Sequence, residues 1–174
     1  MMSGEYAIPV SGLKDGRHHF DFKINKKFFD KFEESEVKEG ELVAVVSADK
    51  QSTHMDLSTQ IKGFVNISCD RCLGIFSLPV ECSNRLLVKF GKDREDDDPE
   101  IITIAAEEAV LDLMQYFYEY VLLALPIQRI HPDDEDGNST CDPEMLAKLR
   151  DHLVDEAKHK DHRWDELEKL MNNN

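Results

Sequence analysis

In the run NISCDRCLGIF (residues 66–76), Cys69 and Cys72 are separated by two residues. At that spacing one tight turn brings two thiolates to a single metal ion, about 2.3 Å from each sulfur. Such a pair is half of a tetrahedral zinc site. The candidates for the other half are His131 and Cys141, which flank the acidic stretch around "HPDDEDGNST". Ten positions apart, they match no standard ligand pair, and they reach the first thiols only if the stretch between them folds back over the sheet edge. Its carboxylates are harder donors than zinc prefers beside sulfur and nitrogen. The bland alternative is a pair of free thiols in a turn. A redox pair of the thioredoxin kind would open a helix after a buried parallel strand, where the helix terminus lowers the thiol pKa; the flanking pattern here is that of a hairpin. Cys82 falls on an apolar strand face and is assigned to the core.

Other constellations offer less. Asp112 and Glu119 share a face of an expected helix, but nothing near them in sequence reads as a nucleophile. His18 and His19 are adjacent on an expected strand and point to opposite faces. His152, His159 and His162 fall on or beside a charged C-terminal helix and are assigned to solvent. The chain has no phosphate loop, dinucleotide fingerprint or His-Glu-x-x-His. The expectation is a protein without catalytic residues or a small-molecule substrate. A zinc enzyme using Cys69, Cys72 and one later ligand, with an open water position, is the minor rival.

The thiol pair needs a hairpin to present it, and the strongest pattern in the chain supplies one. Met55, Leu57, Ile61, Val65 and Ile67 occupy odd positions. After the turn Phe76, Leu78, Val80, Cys82, Leu86, Val88 and Phe90 occupy even ones. The pattern predicts two long antiparallel strands joined at CDRCLG, with Gly74 expected to give the turn its freedom. Phe20, Phe22 and Ile24 mark an earlier strand, and Asn25 caps a short helix carrying Phe28, Phe29 and Phe32. The segment around Pro9 reads as an edge strand, and Gly40 precedes another strand. "EIITI" begins a brief strand, and a mostly buried Leu-rich helix is expected from about Ala106 to Leu125, stopped by Pro126. Asp142 and Pro143 open a charged helix expected to reach about Lys160, with Met145, Leu149 and Leu153 as its apolar stripe. The fold class is α+β: an antiparallel sheet, a meander or partial barrel, bearing the Cys-x-x-Cys hairpin and covered by the Leu-rich helix. Residues 1–130 form the expected domain, with an acidic loop at 91–100. Residues 131–174 form a mobile acidic loop and a helical extension.

Of 21 Lys+Arg and 36 Asp+Glu, 13 of each fall in residues 1–92, so the remaining 8 basic and 23 acidic residues place the whole net charge of −15 in the second half. Polyphosphate is repelled at long range, and only a local patch on the first half can meet RNA. The candidates are Lys23, Lys26, Lys27, Lys31 and Lys62, with Arg71 between the two cysteines. Their bland reading is a solvated surface interspersed with Asp30, Glu33 and Glu34. The acidic half suits a basic protein partner. No apolar run approaches the roughly 20 residues of a membrane span, and the N-terminus lacks a signal-peptide pattern. The cytoplasm is the expected location, with no membrane partner.

Three stretches in order, CDRCLGIF, LDLMQYFYEYVLLALP and DHRWDELEKL, resemble the YceD family of bacterial proteins. The middle one is the most specific, through Asp112, Glu119 and the Leu-rich run closing on Pro126; Arg163 and Trp164 carry the last. The resemblance spans roughly Ala7 to Leu170. It implies a non-catalytic ribosome-biogenesis factor that supports accumulation, processing or stability of large-subunit ribosomal RNA. Such a factor would bind the precursor RNA or a basic ribosomal protein. The alternative is an acidic protein-binding module without RNA contact. Many family members carry further cysteines between the Leu-rich helix and the terminal motif, implying a metal site completed from there. Here that interval holds Cys141, with His131 nearby. Where the family usually has Pro before the Arg of the last motif, this chain has His162.

Overall fold

The computed structural model describes residues 4–91, 98, 100–105 and 108–153. Four consecutive strands form an antiparallel meander: β2 (Gly16–Ile24), β3 (Glu39–Lys50), β4 (His54–Ser68) and β5 (Ile75–Phe90). A fifth, β6 (Ile101–Ile104), joins the free edge of β5 in parallel. The expected wholly antiparallel sheet is thus a mixed one. An apolar run such as IITI signals a strand without specifying its direction.

β4 and β5 pair along their full length, from Ser68↔Ile75 at the tip to His54↔Lys89 at the base. Parity decides which face is buried. Met55, Leu57, Ile61, Val65 and Ile67 of β4, with Phe76, Val80, Leu86 and Val88 of β5, all lie in the core. Gly63 interrupts β4 with φ +153, and a Cβ there would lie 2.1 Å from the Glu41 carbonyl oxygen. β3 can approach β4 this closely only because that side chain is absent.

The inner face is covered by two short elements and a helix. β1 (Ala7–Pro9) pairs with β7 (Val110–Asp112) in a separate two-stranded ribbon. α1 (Lys26–Phe29) starts at Asn25, whose side chain accepts from the Lys27 N–H, and it buries Phe28 and Phe29. α2 (Met114–Leu123) buries Phe117 and Val121. Tyr6 meets both Phe28 and Phe117 edge-on, with its centroid 4.9 Å from that of Phe28, and Phe22 lies 5.3 Å from Phe117. The opposite face of the sheet is open, with Val43, Val45 and Phe64 exposed.

Two helix expectations need correction. Residues 106–107 lie outside the described residues, but Val110–Asp112 is strand, so the helix begins at Met114 and not near Ala106. Pairing with β1 satisfies this backbone, and Val10 N–H adds a bond to the Ala109 carbonyl. Nor is the helix mostly buried: Leu123 is 80% exposed, Ile127 just beyond it fully so. Asp112 sits before the helix, accepting from the Met114 N–H, while Glu119 accepts from Gln115 one turn earlier. Pro126 comes two residues after the Ala124 cap.

α3 (Pro143–His152) begins as expected, with Asp142 capping the Glu144 N–H. It stops at His152, where Leu153 is extended, short of the expected Lys160. Of its apolar stripe only Met145 packs on the body, together with Leu146; Leu149 and Leu153 are exposed. Arg163 and Trp164 of the terminal motif, and His159 and His162, lie outside the described residues. Among the described residues, no helix is long and apolar enough to cross a membrane.

Candidate metal centre

The β4–β5 tip is a knuckle. The Cys69 carbonyl accepts from the Leu73 N–H, and the Cys69 N–H donates to the Gly74 carbonyl. The residue in the left-handed region is Leu73 (φ 63), not Gly74 as expected. Gly74 serves another purpose. A Cβ there would stand 3.4 Å from His131 Cε1 and 3.5 Å from Cys72 Sγ, so glycine makes room for the incoming histidine.

His131 and Cys141 arrive from the acidic stretch, which folds as a hydrogen-bonded turn. Asp133 and Ser139 form an antiparallel bridge. Asp134 Oδ1 accepts from the N–H groups of Asp136 and Asn138, and Gly137 takes φ +80 at the bend. These bonds to Asn138 and its neighbours hold the Asp134 carboxyl below the usual carboxylate range. Thr140 ties back to the Pro132 carbonyl. The turn therefore brings residues ten positions apart side by side, which is why their linear spacing carried no signal.

A second tie docks this unit on the knuckle. The Asp70 N–H donates to the Arg129 carbonyl, and the Arg129 N–H donates to the Asp70 carboxylate, both at 2.7 Å. The His131 ring packs 4.7 Å from the Phe76 ring. Arg71 reaches across to the Ser139 hydroxyl at 3.4 Å.

The result is one cluster of Cys69, Cys72, His131 and Cys141, whose donor atoms all lie within 4.8 Å of one another. All three cysteines are buried and His131 is half-buried. Cys69 Sγ lies 3.7 Å from Cys141 Sγ, and His131 Nδ1 lies 3.4 Å from Cys72 Sγ and 3.7 Å from Cys141 Sγ. A tetrahedral zinc with ordinary bond lengths requires sulfur–sulfur edges of about 3.8 Å and sulfur–nitrogen edges of about 3.6 Å. The donor set and its spacing fit zinc, and a bound ion would cross-link the hairpin to the 131–141 turn. No carboxylate belongs to the group.

At Cys69 the electrostatics favour thiolate. Burial works to raise the Cys69 pKa, but hydrogen bonds from Cys72, Arg71 and His131 outweigh it and lower the thiol to about 6. The Arg71 N–H lies 3.4 Å from the sulfur. At Cys141 the Ser139 hydroxyl works downward, but burial and the neighbouring thiols Cys69 and Cys72 push the pKa up. Cys82, by contrast, sits half-buried beside α2, its thiol raised by burial.

The cationic candidates are dispersed. Lys26 pairs with Glu39 at 2.5 Å and Lys62 with Glu81 at 2.6 Å; Lys31 pairs with Glu5 at 3.4 Å and lies over the Tyr6 ring. Lys23 and Lys27 are exposed and have no ion-pair partner among the described residues. Arg71 belongs to the knuckle, half-buried against the turn. Sequence reasoning missed Asp70. Asp70 stands between the two cysteines, but its partner Arg129 is 59 positions away.

Residues 57–171 match the family model described as "Large ribosomal RNA subunit accumulation protein YceD", a span that includes the knuckle, α2 and the terminal motif. No curated protein and no solved structure matches the chain. With more than half of its length under that model, the chain belongs to the YceD family.

Proposed function

We propose that this protein is a non-catalytic factor that supports the accumulation, processing or stability of large-subunit ribosomal RNA in the cytoplasm, acting by contact with precursor RNA or a ribosomal protein. The family match supports the ribosomal role. The observation that carries the non-catalytic part is the closed donor set: three thiols and one imidazole fill all four positions of a tetrahedral ion. Catalytic zinc keeps a position open for water or substrate, whereas Cys₃His sets are structural. A zinc held by Cys69, Cys72, His131 and Cys141 would keep a surface in shape. Metal analysis by mass spectrometry should find about one zinc per chain in protein purified under reducing conditions. Crosslinking in cells should recover large-subunit RNA or a protein bound to it. Recovery of neither would sink the ribosomal assignment.

A second reading has its own support. The entire excess of negative charge lies in residues 93–174, which suits a basic ribosomal protein. Deleting residues 142–174 separates the two: if capture of basic ribosomal proteins survives the deletion, neither α3 nor the chain beyond it is the docking surface.

A further inference from the structure

The knuckle end of the molecule combines bare apolar side chains with charge of one sign. Leu73 is 68% and Ile75 74% exposed, on either side of the Gly74 that makes room for His131. Leu73 also holds a left-handed backbone (φ 63) that leucine rarely adopts. Residues 33–38, 69–75 and 129–144 meet here, joined by the Arg129–Glu36 ion pair, the Asp70–Arg129 bonds and the Arg71–Ser139 contact. They hold ten Asp and Glu against three Lys and Arg, with no Lys or Arg from residue 130 to 147. Each of the three cations is engaged: Arg129 with Glu36, Lys38 with the Glu33 carbonyl and Arg71 with the Ser139 hydroxyl. Of the ten carboxylates, only Glu36 has an ion-pair partner among the described residues. We propose that this end docks a basic protein, whose apolar side chains cover Leu73 and Ile75 while its lysines and arginines face the acidic turn at 133–136. The proposal rests on the protein-mediated form of the function above and assigns its surface.

Exposed apolar side chains rimmed by polar ones are the mark of a protein interface, and the charge of the rim selects the partner. RNA is repelled by these carboxylates, and so is a second copy of the same acidic end. A divalent cation would use the carboxylates but leave Leu73 and Ile75 in water. Other exposed apolar places lack this one-signed rim. Leu149 on α3 stands among Glu144, Lys148, Arg150 and Asp151, whose charges cancel. The hollows on either side of Phe64, on the open face of the sheet, set Lys23 and Lys27 against Asp30 and Glu41. The knuckle is also fixed in advance. The Leu73 N–H donates to the Cys69 carbonyl at 2.9 Å and the Cys69 N–H to the Gly74 carbonyl at 2.8 Å, so a partner meets a surface that needs little ordering.

The test uses the full-length chain, immobilised for interferometry, against purified large-subunit ribosomal proteins taken singly and against oligoadenylate. At least one basic protein should bind wild type, and oligoadenylate should not. Leu73→Asn/Ile75→Ser removes both apolar side chains with a residue that tolerates the left-handed backbone at position 73. Its metal content and urea midpoint should match wild type, while binding weakens about 10- to 100-fold. Asp133→Asn/Glu135→Gln/Asp136→Asn should slow association about 10-fold at low salt and flatten its salt dependence. Leu149→Ser on α3 should leave binding unchanged. A ribosomal protein that binds wild type and the two multiple variants alike overturns this surface while leaving the protein-mediated reading intact. Failure of every ribosomal protein to bind wild type overturns both. Oligoadenylate binding weakened by Leu73→Asn/Ile75→Ser would make RNA the occupant and overturn the proposal as well.

Discussion

Cys69 is where the four-donor cluster is most exposed to a single-atom change. Converging hydrogen bonds lower its thiol to about 6, the direction that metal ligation requires. Cys69→Ser keeps the shape and removes the soft donor, so zinc content should fall to near zero by mass spectrometry. Asp70→Ala leaves all four donors in place but removes the carboxylate that accepts from the Arg129 N–H, one of the two bonds of the tie. Losses of about 10-fold in zinc affinity, read by competition with a chromogenic chelator, are the expected scale for an outer contact of this kind. Acid should have the same direction of effect as mutation, since protons compete for three thiolates and an imidazole. Chelator-detected release should therefore increase as pH falls.

Gly63 and Tyr120 do the same for the sheet and for α2. A methyl at position 63 would collide with the Glu41 carbonyl in a backbone conformation that L residues rarely adopt. Gly63→Ala should cost about 3 kcal/mol, seen as a lower urea midpoint. Tyr120 lies half-buried on α2; burial first, then the nearby Tyr116 and Glu119, raise its phenol from the ordinary 10.0 to about 12. A raised folded pKa contributes stability that is complete below about pH 10 and lost as pH rises through about 12. Alkaline unfolding, followed by circular dichroism, should set in over that window and be shallower in Tyr120→Phe. These elements were unequally readable. The β4–β5 hairpin announced itself through unbroken alternation, because one face is buried along its whole length. The segment from Val110 to Leu125 did not. A continuous apolar run has no phase, and only the presence of β1 makes its first residues a strand.

Across the molecule, charge and surface are divided between the halves. Residues 1–92 are neutral overall and build the whole meander, while the remainder carries −15. An RNA-binding surface on the neutral half of an acidic protein should be sharply salt-sensitive, each neutralised phosphate contributing a slope of about −0.7 on single strands. Titrating large-subunit RNA binding against salt checks this; a flat profile would point to protein-mediated action. Alternation, a capping Asn25 and Asp142, and two cysteines three apart were enough, read along the chain, to foresee the long hairpin, the starts of two helices and half of a four-donor cluster. His131 and Cys141 were the candidates for the other half, and the fold decided that they do reach the first pair. The Asp133–Ser139 bridge and the Asp70–Arg129 tie act between residues that no local period relates. The same holds for the parallel seating of β6 and for the ring of Phe64 standing on the uncovered face. Periodicity is a property of neighbours a few positions apart, whereas a four-donor cluster is closed by contacts that only the packed sheet brings within reach.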